Sequence, residues 1–160
     1  MKKYKKPILY LSIIIISGIT IWAFAKKYNR ISESINSDLP EVVMYKNPQC
    51  TCCDRWASYL RKQGYPVSVN ISSEMISIKE TNNMPLNLAS CHTAFVDDYI
   101  VEGHVPVEDI NRMLEERPDA VGIAAPGMPA ASPGMDIDTD DSYEVRLFDQ
   151  EGNSILYATH

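Results

Sequence analysis

Three cysteines stand within four residues of the sequence, as Cys50, Cys52 and Cys53. Only one disulfide can form among these three thiols, and Cys50 and Cys53 have the Cys-x-x-Cys spacing of thioredoxin-like redox motifs. A helix beginning here would favour the thiolate form through its N-terminal dipole, and thiolates are what redox chemistry and soft metals both require. Because Cys52 has no role in a simple dithiol–disulfide cycle, the segment predicts a soft-metal site with local thiolate ligands.

A fourth cysteine and two histidines extend this candidate site. Cys91 and His92 stand just before a predicted third strand, and His104 follows the next strand. In a thioredoxin-like fold, the loop before the third strand faces the N-terminus of the first helix. Thioredoxins carry a cis-proline there, whereas residues 90–93 contain no proline. We therefore expect Cys91 and His92 to turn toward the cysteine cluster, with His104 as the next candidate ligand. The alternative is that either histidine lies at the surface or has its ring satisfied within the fold.

Two methionines stand in repeated Pro-Gly-Met segments further along the chain, at Met128 and Met135. A thioether is a selective ligand for Cu(I), so both side chains are candidate metal ligands. The alternative is that they pack the loop onto the domain.

Three functions fit this set of residues. The first is a copper protein in which thiolates bridge several Cu(I) ions, either sequestering copper or transferring electrons through it. The second is a thiol–disulfide oxidoreductase, with Cys50 as the exposed nucleophile and Cys53 as the resolving thiol. The third is a zinc protein, although the adjacent Cys52 and Cys53 suit a multinuclear cluster better than a single tetrahedral ion.

Hydrophobic patterning predicts the elements that would position these residues. The fold class is α/β, a thioredoxin-like domain in the order β-α-β-α-β-β-α, followed by a Pro/Gly/Met loop and a C-terminal β-hairpin. Trp56, Tyr59 and Leu60 recur at helical spacing directly after the cysteines, and Gly64 ends that helix. The second helix is predicted over Met75, Ile76 and Ile78, and the third between Pro106 and Pro118. The predicted strands cover residues 41–46, 65–71, 93–96 and 99–101, with the closing hairpin at 143–148 and 154–157.

The N-terminal region predicts a membrane-targeting segment. Residues 7–25 form an uncharged apolar run flanked by lysines, and as a helix they would span about 28 Å at about 1.5 Å per residue. The lysines before the run favour a cytoplasmic N-terminus, with the rest of the chain sent to the periplasm. Residues 1–25 are therefore a transmembrane signal anchor in the inner membrane, or a signal peptide cleaved near Ala25. Residues 26–40 read as a linker, and residues 41–160 as the metal-binding domain.

Charge is distributed unevenly along the chain. The first 30 residues hold seven basic residues and no acidic one, which leaves eight basic against 21 acidic residues in the remainder, a formal charge of -13. Such a body repels nucleic acid and offers it no basic stripe. It tolerates cations well.

The chain from about Val42 to Tyr157 resembles the CopG family of bacterial copper-resistance proteins. The resemblance implies a thioredoxin-like fold, an extracytoplasmic location, a cysteine-bridged cluster of several copper ions and a role in copper redox conversion during detoxification. Copper ions and other copper-homeostasis proteins are the implied partners. The segments that carry it are residues 45–53, 89–94, 101–106, 109–110, 126–129 and 132–135. The core ligands it implies are Cys50, Cys52, Cys53 and Cys91, supplemented by histidine and methionine.

Overall fold

The computed structural model describes residues 18–27, 39–135 and 137–160. The chain divides into two compact units, Met1–Leu39 and Pro40–His160. Residues 18–27 of the first unit are helical. Within the described part of the chain, no helix combines the length and apolar character needed to cross a membrane. Most of the apolar run predicted to be an anchor, residues 7–17, lies outside the described residues.

The second unit alternates strands and helices. Its strands form one seven-stranded sheet in the order β2-β1-β3-β4-β5-β6-β7. Strands β1 and β2 pair in parallel, as do β4 and β5, and the other neighbours are antiparallel. The elements are β1 (Val42–Lys46), α1 (Thr51–Lys62), β2 (Val67–Ile71), α2 (Met75–Thr81), a 3-10 turn (Leu86–Leu88), β3 (His92–Val96), β4 (Tyr99–Glu102), α3 (Val107–Glu116), β5 (Gly122–Ala124), β6 (Glu144–Phe148) and β7 (Ser154–Thr159).

The α/β class is confirmed, and the elements from β1 to α3 follow the predicted order. The closing hairpin is present as β6 and β7. Strand β5 was not predicted, because glycine and alanine carry little strand signal. Gly122 is required there: a Cβ at this position would collide with the backbone of Ile100 on the paired strand β4.

Both faces of the sheet are covered at its centre, since all residues of β4 are buried, whereas the edge strands β2 and β7 are partly exposed. Helix α1 buries Trp56 and Leu60, and Trp56 Nε1 donates to the carbonyl of Val105 at 2.9 Å, just before α3. A second apolar cluster contains Met84, Leu88, Ile100, Ala124 and Phe148.

The second helix differs from its prediction. It begins at Met75, which is buried, but Ile76 is 66% exposed rather than inward-facing. The buried position one turn after Met75 is instead the charged Lys79. This lysine has a buried partner close to the candidate site.

Candidate metal site

The N-terminus of α1 positions the three local cysteines. Cys50 is the residue before the helix, Cys52 is half-buried in its first turn, and Cys53 is fully buried. Cys50 and Cys53 are joined by a disulfide with their Cα atoms 5.5 Å apart. Cys52 Sγ lies 3.4 Å from Cys50 Sγ, so a free thiol lies beside the bond.

A buried lysine holds the segment that enters this helix. Lys46, the last residue of β1, is only 4% exposed. Its Nζ donates to the carbonyl of Cys50 at 3.0 Å and to Asp54 Oδ2 at 2.8 Å. The ammonium therefore links the start of the cysteine motif to the first turn of α1.

Strand pairing brings the distant cysteine to the same place. Strands β1 and β3 are antiparallel, with Lys46 opposite His92, so the end of β1 lies beside the start of β3. As a result Cys91 Sγ lies 3.5 Å from Cys53 Sγ, although 38 residues separate them in sequence. The structure therefore brings Cys91 to the three-cysteine cluster, as the sequence predicts.

Both predicted histidines also reach the cluster. His104 Nε2 lies 3.3 Å from Cys91 Sγ. His92 is fully buried, with its ring centroid 5.1 Å from that of His104 and 4.4 Å from that of Trp56. His92 Nδ1 lies 3.8 Å from Cys91 Sγ, and its other ring nitrogen, Nε2, is buried without a hydrogen-bond partner among the described residues.

Burial sets the protonation states of these groups. It lowers the pKa of His104, and it lowers the pKa of His92 well below its usual value, so both rings are neutral at pH 7. Neutral imidazole is the form that binds metal. Burial, and then the charge of nearby Cys52, raises the pKa of Cys91 to about 11. Cys91 is therefore a thiol in the metal-free protein, and a metal must displace its proton.

These side chains form two overlapping groups of four donors, in each of which the ligand atoms lie within 4.8 Å of one another. Cys53 and Cys91 belong to both groups. Sulfur and imidazole donors suit soft or borderline ions such as Cu(I) and Zn²⁺. Full use of the sulfurs requires reduction of the Cys50–Cys53 disulfide. The first group is Cys50, Cys52, Cys53 and Cys91, and the second is Cys53, Cys91, His92 and His104.

Metal binding by Met128 and Met135 stays a prediction. Met128 is 59% exposed, and Met135 is half-buried. Between them the chain runs close to the site, because the carbonyl of Pro133 lies 2.7 Å from His104 Nδ1. No residue pattern in the sequence predicts this backbone contact, because every residue has a carbonyl group.

A buried ionic network beside Cys91 was also missed. Glu102 is fully buried, and its Oε1 accepts hydrogen bonds from Lys79 Nζ at 2.5 Å and from the backbone N–H of Ser90 at 2.6 Å. Thr93 donates to the other carboxylate oxygen at 2.7 Å. The sequence contains only a weak indication of this network. Lys79 stands where the apolar face of α2 would continue, and Glu102 ends the otherwise apolar strand β4.

Fold and site together define a mixed α/β protein with a cysteine–histidine cluster able to hold metal. A family described as "Protein of unknown function, DUF411" matches residues 88–135. Two solved structures, described as the copper resistance protein copG in Form 1 and Form 2, are each 35% identical to this chain with a TM-score of 0.72. The matches cover 77% of this chain and 98% and 99% of the two solved chains. The comparison with curated proteins gives no match. The chain belongs to the CopG family, as its motifs predict.

Proposed function

We propose that the protein binds copper as Cu(I), in a cysteine-bridged site that holds more than one ion. The observation that carries this proposal is the sharing of Cys53 and Cys91 between the two four-donor groups. A thiolate can bridge two soft ions, so two overlapping groups provide for two or more neighbouring ions without additional ligands. The names of the CopG relatives support copper as the metal.

The donor set favours Cu(I) over zinc. A structural zinc ion takes four ligands in a tetrahedron, and the adjacent Cys52 and Cys53 are poorly placed to bind one ion together. Soft thiolates select Cu(I), and the neutral imidazoles of His92 and His104 complete its coordination. By the same chemistry, the thioethers of Met128 and Met135 are proposed as supplementary donors.

We place this function outside the cytoplasm, in the periplasm. The apolar run at residues 7–25 and its flanking lysines support that location. The disulfide between Cys50 and Cys53 supports it too, because disulfides persist in oxidising compartments. Copper must then reach a site whose thiols have been reduced.

Metal analysis tests the copper proposal. The full chain is purified without oxygen, reduced, loaded with Cu(I) or with Zn²⁺, and analysed for bound metal after desalting. We expect more than one Cu(I) per chain and displacement of zinc by Cu(I). Saturation at a single Cu(I) would contradict a bridged cluster, and retention of zinc against Cu(I) would favour the zinc alternative.

The disulfide also favours a second function, thiol–disulfide exchange. Cys50 is half-buried and directly precedes α1, and Cys53 is buried in the first turn of that helix. This is the arrangement of a nucleophile and a resolving thiol. In that reaction the reduced Cys50 thiolate attacks a substrate disulfide and the Cys53 thiol then releases the substrate, so the Cys50–Cys53 disulfide forms as the substrate takes up two electrons and two protons. The metal-free protein would then rearrange scrambled disulfides, and copper would block it. Absence of turnover at every pH tested would remove this function.

A further inference from the structure

The second Pro-Gly-Met segment contacts the site through its backbone. The carbonyl oxygen of Pro133 lies 2.7 Å from His104 Nδ1. A carbonyl can only accept a hydrogen bond, so Nδ1 carries the proton of the neutral ring. The lone pair is then on Nε2, which is the nitrogen 3.3 Å from Cys91 Sγ.

The next residue fastens this segment to the helix that carries the cysteines. Arg55, in the first turns of α1, donates from Nε to the carbonyl of Gly134 at 2.7 Å. Gly134 has a φ of +83°, and a Cβ there would lie 2.7 Å from the backbone nitrogen of Trp56. Since the neighbouring atoms belong to the helix backbone, they cannot move aside as a flexible side chain would.

The segment is also held internally. Ser132 is 3% exposed, and both its N–H and its hydroxyl donate to the carbonyl of Pro129, at 3.0 and 2.6 Å. The N–H of Met135 donates to the carbonyl of Ser132 at 3.2 Å. The Pro133 carbonyl is therefore fixed from both sides, by the turn before it and by α1 after it.

We propose that Pro133-Gly134 is a positioning segment that holds His104 in the Nδ1–H tautomer, with Nε2 presented to the metal. The inference rests on the proposed metal-binding function and deepens it. It assigns the second Pro-Gly-Met segment a role through its backbone, in addition to the proposed role of the Met135 thioether as a copper donor. A hydrogen bond from a ligand imidazole to a backbone carbonyl sets the tautomer and ring orientation and makes the ring a better donor.

The first Pro-Gly-Met segment offers a matched control. Gly127 also has a positive φ, +71°, so substitution by alanine imposes a comparable backbone strain at both glycines. A Cβ at Gly127, however, meets no atom within 4 Å. Gly134→Ala and Gly127→Ala therefore differ in whether the segment is pushed away from α1.

The tautomer can be read directly in the metal-free protein. The reduced full chain, labelled with ¹⁵N, is studied by long-range proton–nitrogen correlation at pH 8, where the rings are neutral, and His104 is assigned with a His104→Gln variant. We expect the Nδ1–H pattern in the wild type and in Gly127→Ala, and a mixture of tautomers in Gly134→Ala. Competition with a Cu(I) chelator should show about tenfold weaker copper binding for Gly134→Ala alone, as is usual when a ligand loses its orienting hydrogen bond.

Arg55→Met provides a second route should Gly134→Ala fail to fold, because it removes the donor to Gly134 and leaves the helix backbone intact. We expect the same change of tautomer, smaller in extent. A His104 tautomer that is the same in Arg55→Met, Gly134→Ala and wild type overturns the proposal. If instead the wild type binds no copper but the tautomer still depends on Gly134, the copper function fails and the positioning of His104 by this segment stands.

Discussion

Cys91 is the side chain on which the proposed cluster depends most. Its sulfur lies 3.5 Å from Cys53 Sγ and 3.3 Å from His104 Nε2, so it connects the local cysteine motif to the histidines. Burial raises its pKa to about 11, which keeps it neutral until a metal arrives. A neutral buried thiol costs less free energy than a buried thiolate, so the fold can bury Cys91 without a metal.

Cys91→Ser should lower both the affinity for copper and the number of Cu(I) ions bound. A serine hydroxyl cannot replace a bridging thiolate for a soft ion. Met128→Leu is the comparison: it exchanges an exposed thioether for an apolar side chain of similar size, and should keep the fold and most of the copper. The measurements are bound copper per chain and competition with a Cu(I) chelator.

If Cys91→Ser bound copper like the wild type, while serine at Cys50, Cys52 or Cys53 abolished binding, the site would be the local loop alone. The proximity of Cys91 to α1 would then have no role in metal binding.

At the scale of elements, an ion pair ties α2 and the loop before β3 to β4. Lys79 lies in α2, Glu102 lies at the end of β4, and Ser90 is the residue directly before Cys91. Both charged side chains are at most 5% exposed. A buried pair of this kind contributes little net stability, but removing one partner leaves an uncompensated charge in the interior.

Lys79→Met should destabilise the metal-free protein by about 3–5 kcal/mol, because the Glu102 carboxylate loses its counter-ion. The double variant Lys79→Met with Glu102→Gln should recover part of that loss. It removes the orphaned charge, and the amide oxygen can still accept from the N–H of Ser90. Urea unfolding of the reduced proteins gives the free energies of unfolding.

Glu144→Gln is the control for charge removal at the surface. Glu144 pairs with Arg146 while its side chain is 53% exposed, so the change in unfolding free energy should stay within about 1 kcal/mol. A Lys79→Met effect no larger than this would show that the buried pair does not secure the loop before Cys91.

At the scale of the whole molecule, the N-terminal region and the rest of the chain differ in charge and hydrophobicity. Basic residues and the apolar run lie in the first 30 residues, and the remainder carries a formal charge of -13. An acidic body limits repulsion of incoming cations, and the N-terminal pattern favours export.

The full-length protein, produced in a Gram-negative host, should fractionate with the inner membrane and become sensitive to protease only after the outer membrane is opened. The physical reason is the length of the uncharged run, residues 7–25, and the lysines before it. A chain that lacks residues 1–25 is the control and should stay in the cytoplasm. A soluble periplasmic product beginning near Lys26 would mean cleavage instead of anchoring, and a cytoplasmic full-length protein would contradict both.

The sequence by itself determined the local features of this protein. Trp56 and Leu60 recur at helical spacing and so predict helix α1, and runs of apolar residues predict the strands. The motifs around Cys50 and Cys91 were sufficient to predict the CopG family, which the solved structures then showed.

Tertiary structure alone decided which of these features meet. The contacts of Cys91 with Cys53 and His104 depend on the pairing of β1 with β3 and on the turn after β4, and spacing along the chain does not encode such distances. Strand β5 forms because Gly122 leaves room for the backbone of its neighbour, a steric fact that composition does not reveal. The hydrogen bond from His104 to Pro133 uses a carbonyl group that every residue has, so its importance arises only from its position in the fold.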